Sequence, residues 1–149
     1  MNNRKINKAK EVFDEFLIAM DDQLEWLEDK AIENGITLKY SSDIPEKLEK
    51  LFDLISVNMS EDDVSHLLVV FGRYLGEFVR TNYGGKWVLP LDDQKNINFN
   101  VPVITGHSKV QGLEFAPIRI MRAYLIRRNA GSIRRAIENH INPEILILD

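Results

Sequence analysis

The chain has 149 residues, no cysteine, 44% hydrophobic and 28% charged residues, and a formal net charge of −4. That length suits one domain. The missing cysteine rules out disulfides, thiol catalysis and cysteine-held zinc, and no apolar run nears the roughly 20 residues that cross a bilayer.

The charge is unevenly spread. Residues 1–63 hold eight basic and sixteen acidic side chains, whereas residues 117–149 hold six arginines and three acids. An acidic front and an arginine-rich back either neutralise each other within the domain or mark surfaces for partners. The N-terminal stretch lacks the uninterrupted apolar segment of a signal peptide, so a cytoplasmic location is expected.

Residues 5–34 predict one long helix. Ile6, Ala9, Phe13, Phe16, Met20, Leu24, Leu27 and Ala31 recur every three or four positions and form a continuous stripe. The run from Phe16 to Met20 broadens the stripe and is expected to be well buried, and Asn34-Gly35 supplies a stop. Such a stripe packs within the chain or seeds a homodimer; monomer and homodimer both stand. Ile36 to Tyr40 reads as a short extended segment. Ser41, Ser42 and Asp43 offer capping oxygens, and Pro45 suits the first turn of a helix over about 45–57.

Ser60 is a good N-cap for a third helix over 61–83, with Glu61, Asp62 and Asp63 where the helix dipole favours negative charge. Its wide apolar face makes it the expected centre of the domain. Gly72 and Gly76 each cost this helix roughly 1 kcal/mol against Ala, so a neighbouring element is expected to approach closely there. Gly84-Gly85 ends the helix, with one of the pair at positive φ. Strands are predicted over about 86–91 and 97–105, paired as a hairpin across the polar turn 92–96. Pro102 demands an edge or a bulge. Pro117 opens a helix to about 128, Ser132 caps a short one over 133–140, and the apolar tail 144–149 is expected to dock. The whole predicts a single α+β domain over 1–149, a helical layer around the third helix packed on a small antiparallel sheet.

Chemistry is sparse. His66, His107 and His140 lack metal-binding spacing, and neither a nucleotide-binding loop nor a nucleophile elbow is present. No catalytic residue, metal or cofactor is therefore assigned. Glu77 lies four residues after Arg73 and three before Arg80, so the three share a face. A carboxylate on a core helix should be paired. One reading makes Glu77 a structural acceptor, reached by these arginines, by Lys86 or by an arginine of the fourth helix. The other makes it the anchor of a small-molecule or catalytic pocket with Tyr83, Trp87 and Arg122. Arginines 119, 122, 127, 128, 134 and 135 invite nucleic-acid binding. The acidic total and the absence of interleaved aromatic and basic residues argue against it.

The segments LKYSSDIPEKLEKLF, LLVVFGRYLGEFVRTNYGGKWVLPL and FAPIRIMRAYLIRR carry one further signal. Gly72, Tyr74, Gly76 and Glu77 form a GxYxGE helix, Gly84, Gly85 and Trp87 a GGxW strand start, and Pro117 leads a basic helix. Over residues 36–130 this pattern resembles a group of small uncharacterised bacterial domains, some of them immunity-type proteins of toxin systems. The long first helix departs from the short lead-in of that group. The resemblance implies a stand-alone, non-catalytic protein-binding module with a toxin as partner. The residues offer a matching surface: Asp21, Asp22, Glu25, Glu28 and Asp29 would complement a basic toxin domain and speed its capture.

Overall fold

The architecture turns on one 23-residue helix notched by two glycines. In the computed structural model, which describes residues 2–39 and 42–141, the elements run α1 (Asn3–Ile18), α2 (Met20–Glu33), α3 (Ile44–Ile55), α4 (Glu61–Tyr83), β1 (Lys86–Val88), β2 (Val103–Thr105), α5 (Pro117–Arg127) and α6 (Ser132–Ile141). The third predicted helix is α4. Ser60 accepts from the Asp63 amide at its start, and Gly84 (φ +87) stops it. Both Gly84 and Gly85 lie at positive φ.

Helix α4 packs against α2, α3, α5 and β2, so it is the centre of the α+β domain. The notch has an identifiable occupant at each position. A Cβ on Gly72 would fall within 3.0 Å of the Ile118 Cα, and one on Gly76 would overlap the Trp87 indole and press on Pro117. The weak helix former at each site lets the start of α5 and one aromatic ring approach the backbone. Around this contact lies a continuous core that includes Leu48, Leu51, Phe52, Leu68, Phe71, Leu75, Ile104, Phe115, Met121 and Ile133. Phe52 and Phe71 meet edge to face at 5.1 Å, a preferred aromatic geometry.

The predicted single helix over 5–34 is two helices. The break falls at Ala19 (φ −77, ψ −3), where ψ is far from the helical value. Three residues earlier, Arg73 of α4 donates from Nε to the Phe16 carbonyl at 3.3 Å and lies over the Phe16 ring. A side chain that inserts into the i→i−4 ladder is a known cause of kinks. The run 16–20 is also less buried than predicted. Phe16 and Met20 point inward, while Leu17 and Ile18 are exposed, Ile18 at 82%.

The strands are shorter than predicted. β1 pairs antiparallel with β2 in the register Lys86↔Thr105, Trp87↔Ile104 and Val88↔Val103. Ile104 forms a further bridge to Phe115, with two backbone bonds of 2.8 and 2.9 Å. The alternating run Ile97–Val101 forms turns, because its asparagines compete with a ladder. The Asn96 side chain caps the Asn98 amide, Asn96 and Asn98 both donate to Glu114, and Asn100 takes φ +57. The predicted extended segment forms no strand: residues 36–38 have no regular structure and Lys39 lies in a turn, with Ile36 and Leu38 buried. The predicted tail 144–149 lies outside the described residues.

The last helices are tied to α3. Glu49, 6% exposed, accepts from the amides of Gly131 and Ile133 at 2.9 and 3.1 Å. A carboxylate from α3 thus occupies the N-terminus of α6, where orphan amides and the helix dipole favour an anion.

Candidate functional site

Glu77 emerges from α4 one residue past the Gly76 notch, and that position sets its surroundings. The Trp87 ring seated on Gly76 turns its Nε1 to the Glu77 carboxylate at 2.9 Å. Arg80, one turn along, donates from Nε and Nη2 at 2.7 and 3.0 Å. Burial alone would raise the Glu77 carboxyl, but the bonds from Arg80 and Trp87 outweigh it and hold the group below its ordinary value. Arg73, predicted to share this face with Glu77, instead reaches Phe16 of α1, where burial lowers its guanidinium.

Of the four predicted pocket residues, the fold brings together Glu77 and Trp87. Tyr83 is 42% exposed near the end of α4. Arg122 lies on α5 in a shallow groove with Arg119, Ala123, Ile126 and Arg127.

Glu77 also lines an open cavity of about 710 Å³ between α2 and α4, with Ile44 at the start of α3 among its lining residues. The lining of α4 is Tyr74, Glu77, Phe78, Thr81 and Asn82, one helical face; α2 contributes Leu24 and Glu28, and Leu38, Ser42 and Ile44 complete it. Tyr74 donates to Glu28 at 3.4 Å, and burial followed by the Glu28 charge raises its phenol well above the usual value. A groove of about 410 Å³ continues from the cavity along α2, sharing Leu24, Glu28 and Leu38 with it. Asp21, Glu25 and Asp29 line this groove, with Lys39 as a cation among its lining residues.

The chain's own arginines divide the acidic half. Arg134 pairs with Glu46 of α3 at 2.7 Å, Arg128 with Asp53, and Glu49 holds the start of α6. On α2, Lys30 pairs with Glu33. Among the described residues, Asp21, Asp22, Glu25, Glu28 and Asp29 have no cation within salt-bridge distance. Asp21, Asp22, Glu25 and Asp29 are exposed, and Glu28 is half-buried.

One pairing is absent from the sequence-based expectations. His107 Nε2 and His140 Nδ1 lie 3.4 Å apart with nearly parallel rings, and Phe115 meets both edge-on. Burial lowers both imidazoles, and the His140 charge lowers His107 further. Because they stand 33 positions apart, neither spacing nor pattern announces the pair. Among the described residues, no three side chains of metal-ligating type converge. No protein-family model, curated protein or solved structure matches this chain.

Proposed function

We propose that this chain is a non-catalytic protein-binding module that captures a basic protein through the acidic face of α2. One observation carries the reading. The C-terminal cations that pair with the acidic half of the chain reach α3, and among the described residues Asp21, Asp22, Glu25, Glu28 and Asp29 have no cation within salt-bridge distance. Carboxylates left unpaired on one helix repel one another at low salt, and a cationic partner would relieve that repulsion. Such a field raises encounter rates more than it deepens affinity.

Glu77 supports a binding module over an enzyme. A carboxylate held ionised by two donors, one an arginine, is a poor proton acceptor at neutral pH. The resemblance to immunity-type domains makes a cytoplasmic, cationic toxin domain the partner to test first. The test has two steps: the intact chain captures its partner from its own cells, and association rates are then measured across a salt series. Charge reversal at Asp21, Asp22, Glu25, Glu28 and Asp29 should slow association at least ten-fold at low salt. Unchanged rates with an unchanged salt slope would discard this face as the binding surface.

A further inference from the structure

We infer that the cavity between α2 and α4 and the acidic groove leading from it form one trough, which receives an apolar side chain of the partner and the basic residues beside it. The inference rests on the protein-binding reading above and names what the partner must present.

The chemistry of the trough is one-sided. Its floor is apolar, from Leu24, Leu38, Ile44 and Phe78, and its volume falls in the range of sites that hold organic ligands. Three of the donors around it are engaged: the Tyr74 hydroxyl with Glu28, the Thr81 hydroxyl with the Glu77 carbonyl at 2.8 Å, and the Asn82 amide with the Phe78 carbonyl at 2.7 Å; the Ser42 hydroxyl can donate to or accept from an occupant. Glu77 already takes three bonds from Arg80 and Trp87, and its charge is offset by the Arg80 guanidinium, so it acts as wall. The acceptors that remain without a cation among the described residues are Glu28, shared by the cavity and the groove, then Asp21, Glu25 and Asp29 along the groove.

An anionic ligand would meet carboxylates, with Lys39 the one cation among the described lining residues. A purely polar cation would leave the apolar floor wet. The occupant that satisfies both halves is a peptide segment with one large apolar side chain followed by lysines or arginines. The apolar group enters between Leu24 and Phe78, an ammonium or guanidinium reaches Glu28, and the next basic residues follow α2. The shared lining at Leu24, Glu28 and Leu38 makes the two halves a single path.

The probe is a fluorescein-labelled octapeptide with one Phe followed by three basic residues. Two controls replace the Phe by Ser or the three basic residues by Glu. Anisotropy titrations against the full chain should show binding of the first peptide and at least ten-fold weaker binding of both controls. Amide shifts in isotope-labelled protein should map to residues 24–29, 38–39 and 74–82. Thr81→Trp fills the cavity from an exposed position without altering the charge of α2 and should weaken the peptide at least ten-fold; Glu28→Gln should do so about five-fold. Melting curves confirm that each variant is folded, and the shift map on the unaltered chain tests the trough independently of both.

The outcomes separate the two proposals. If a basic partner responds to charge reversal on α2 while Thr81→Trp changes nothing, or if the Ser control binds as tightly as the Phe peptide, the trough is overturned and the acidic surface stands. If charge reversal leaves capture of the partner untouched, the protein-binding face fails, and peptide shifts confined to 74–82 would then mark a ligand pocket of a different kind, overturning the trough as well.

Discussion

Helices α2 and α3 belong to the same acidic half of the chain, and the fold treats them in opposite ways. Each carboxylate that α3 turns toward the C-terminal helices finds a partner: Glu46 takes Arg134, Glu49 the first amides of α6, and Asp53 both Arg128 and the Tyr124 hydroxyl. Five acids of α2 meet no cation among the described residues. Composition counts both sets alike. Only packing tells which charges hold the molecule together and which are left for something else, and the difference can be probed one position at a time.

The largest effect belongs to Glu49. Glu49→Ala leaves two amides at the start of α6 without an acceptor and removes a well-placed anion from the helix N-terminus. Unfolding in urea should show a loss of about 2–4 kcal/mol, with Ile133 and Ile137 losing hydrogen-exchange protection first.

Asp53→Asn should be milder. Both Asp53 and Arg128 are roughly half exposed, so their ion pair is screened, and most of an expected loss of about 1–2 kcal/mol comes from the Tyr124 bond. Tyr124 provides the direct readout. Burial, then the hydrogen bond and charge of Asp53, push its phenol up to about 12. The unfolded chain ionises this group near pH 10, so it binds fewer protons than the folded chain between pH 10 and about 12, and the contribution of Tyr124 to stability falls across that window. Phenolate absorbance should show its titration moving down in Asp53→Asn; an unmoved midpoint would break the assignment.

Glu46→Gln tests a pair about as exposed as that of Asp53 but without a bond to a buried hydroxyl. The Glu46–Arg134 pair is open to solvent on both sides, and the loss should be no more than about 1 kcal/mol, shrinking as salt is added.

At the far end of the series stand Asp21, Glu25 and Asp29. Neutralising all three should change stability by less than about 0.5 kcal/mol, in the stabilising direction if their mutual repulsion counts. The same change should slow capture of a basic protein about ten-fold at low salt. A stability loss as large as that of Glu49→Ala would erase the contrast between the two helices.

Much of the scaffold was legible from local chemistry. Ser60 and Gly84 mark the ends of α4 where the structure has them, and Pro117 opens α5. Gly72 and Gly76 announced a close approach, because two poor helix formers on one face of a central helix need a reason. What sequence reading missed has distant causes. The break at Ala19 follows an arginine 57 residues beyond Phe16. The turns at 96–100 depend on Glu114, and the His107–His140 pair on helix packing. The candidate site was half readable. The acids of α2 stood out in the charge balance, but their freedom from the C-terminal arginines became visible only once Arg128 and Arg134 had been seen to pair with Asp53 and Glu46 of α3.

The indole locked against Gly76 has a practical consequence. The chain has two tryptophans, and the fold gives them separate duties as optical probes. Trp87 is wedged between α4 and the edge of Phe16 at 5.0 Å, so its emission reports whether the native packing is intact. Trp26, 42% exposed beside Glu25 on α2, samples solvent next to the surface offered for capture. Replacing either one with phenylalanine leaves a single fluorophore, tuned in one protein to unfolding and in the other to the arrival of a partner, with no dye attached.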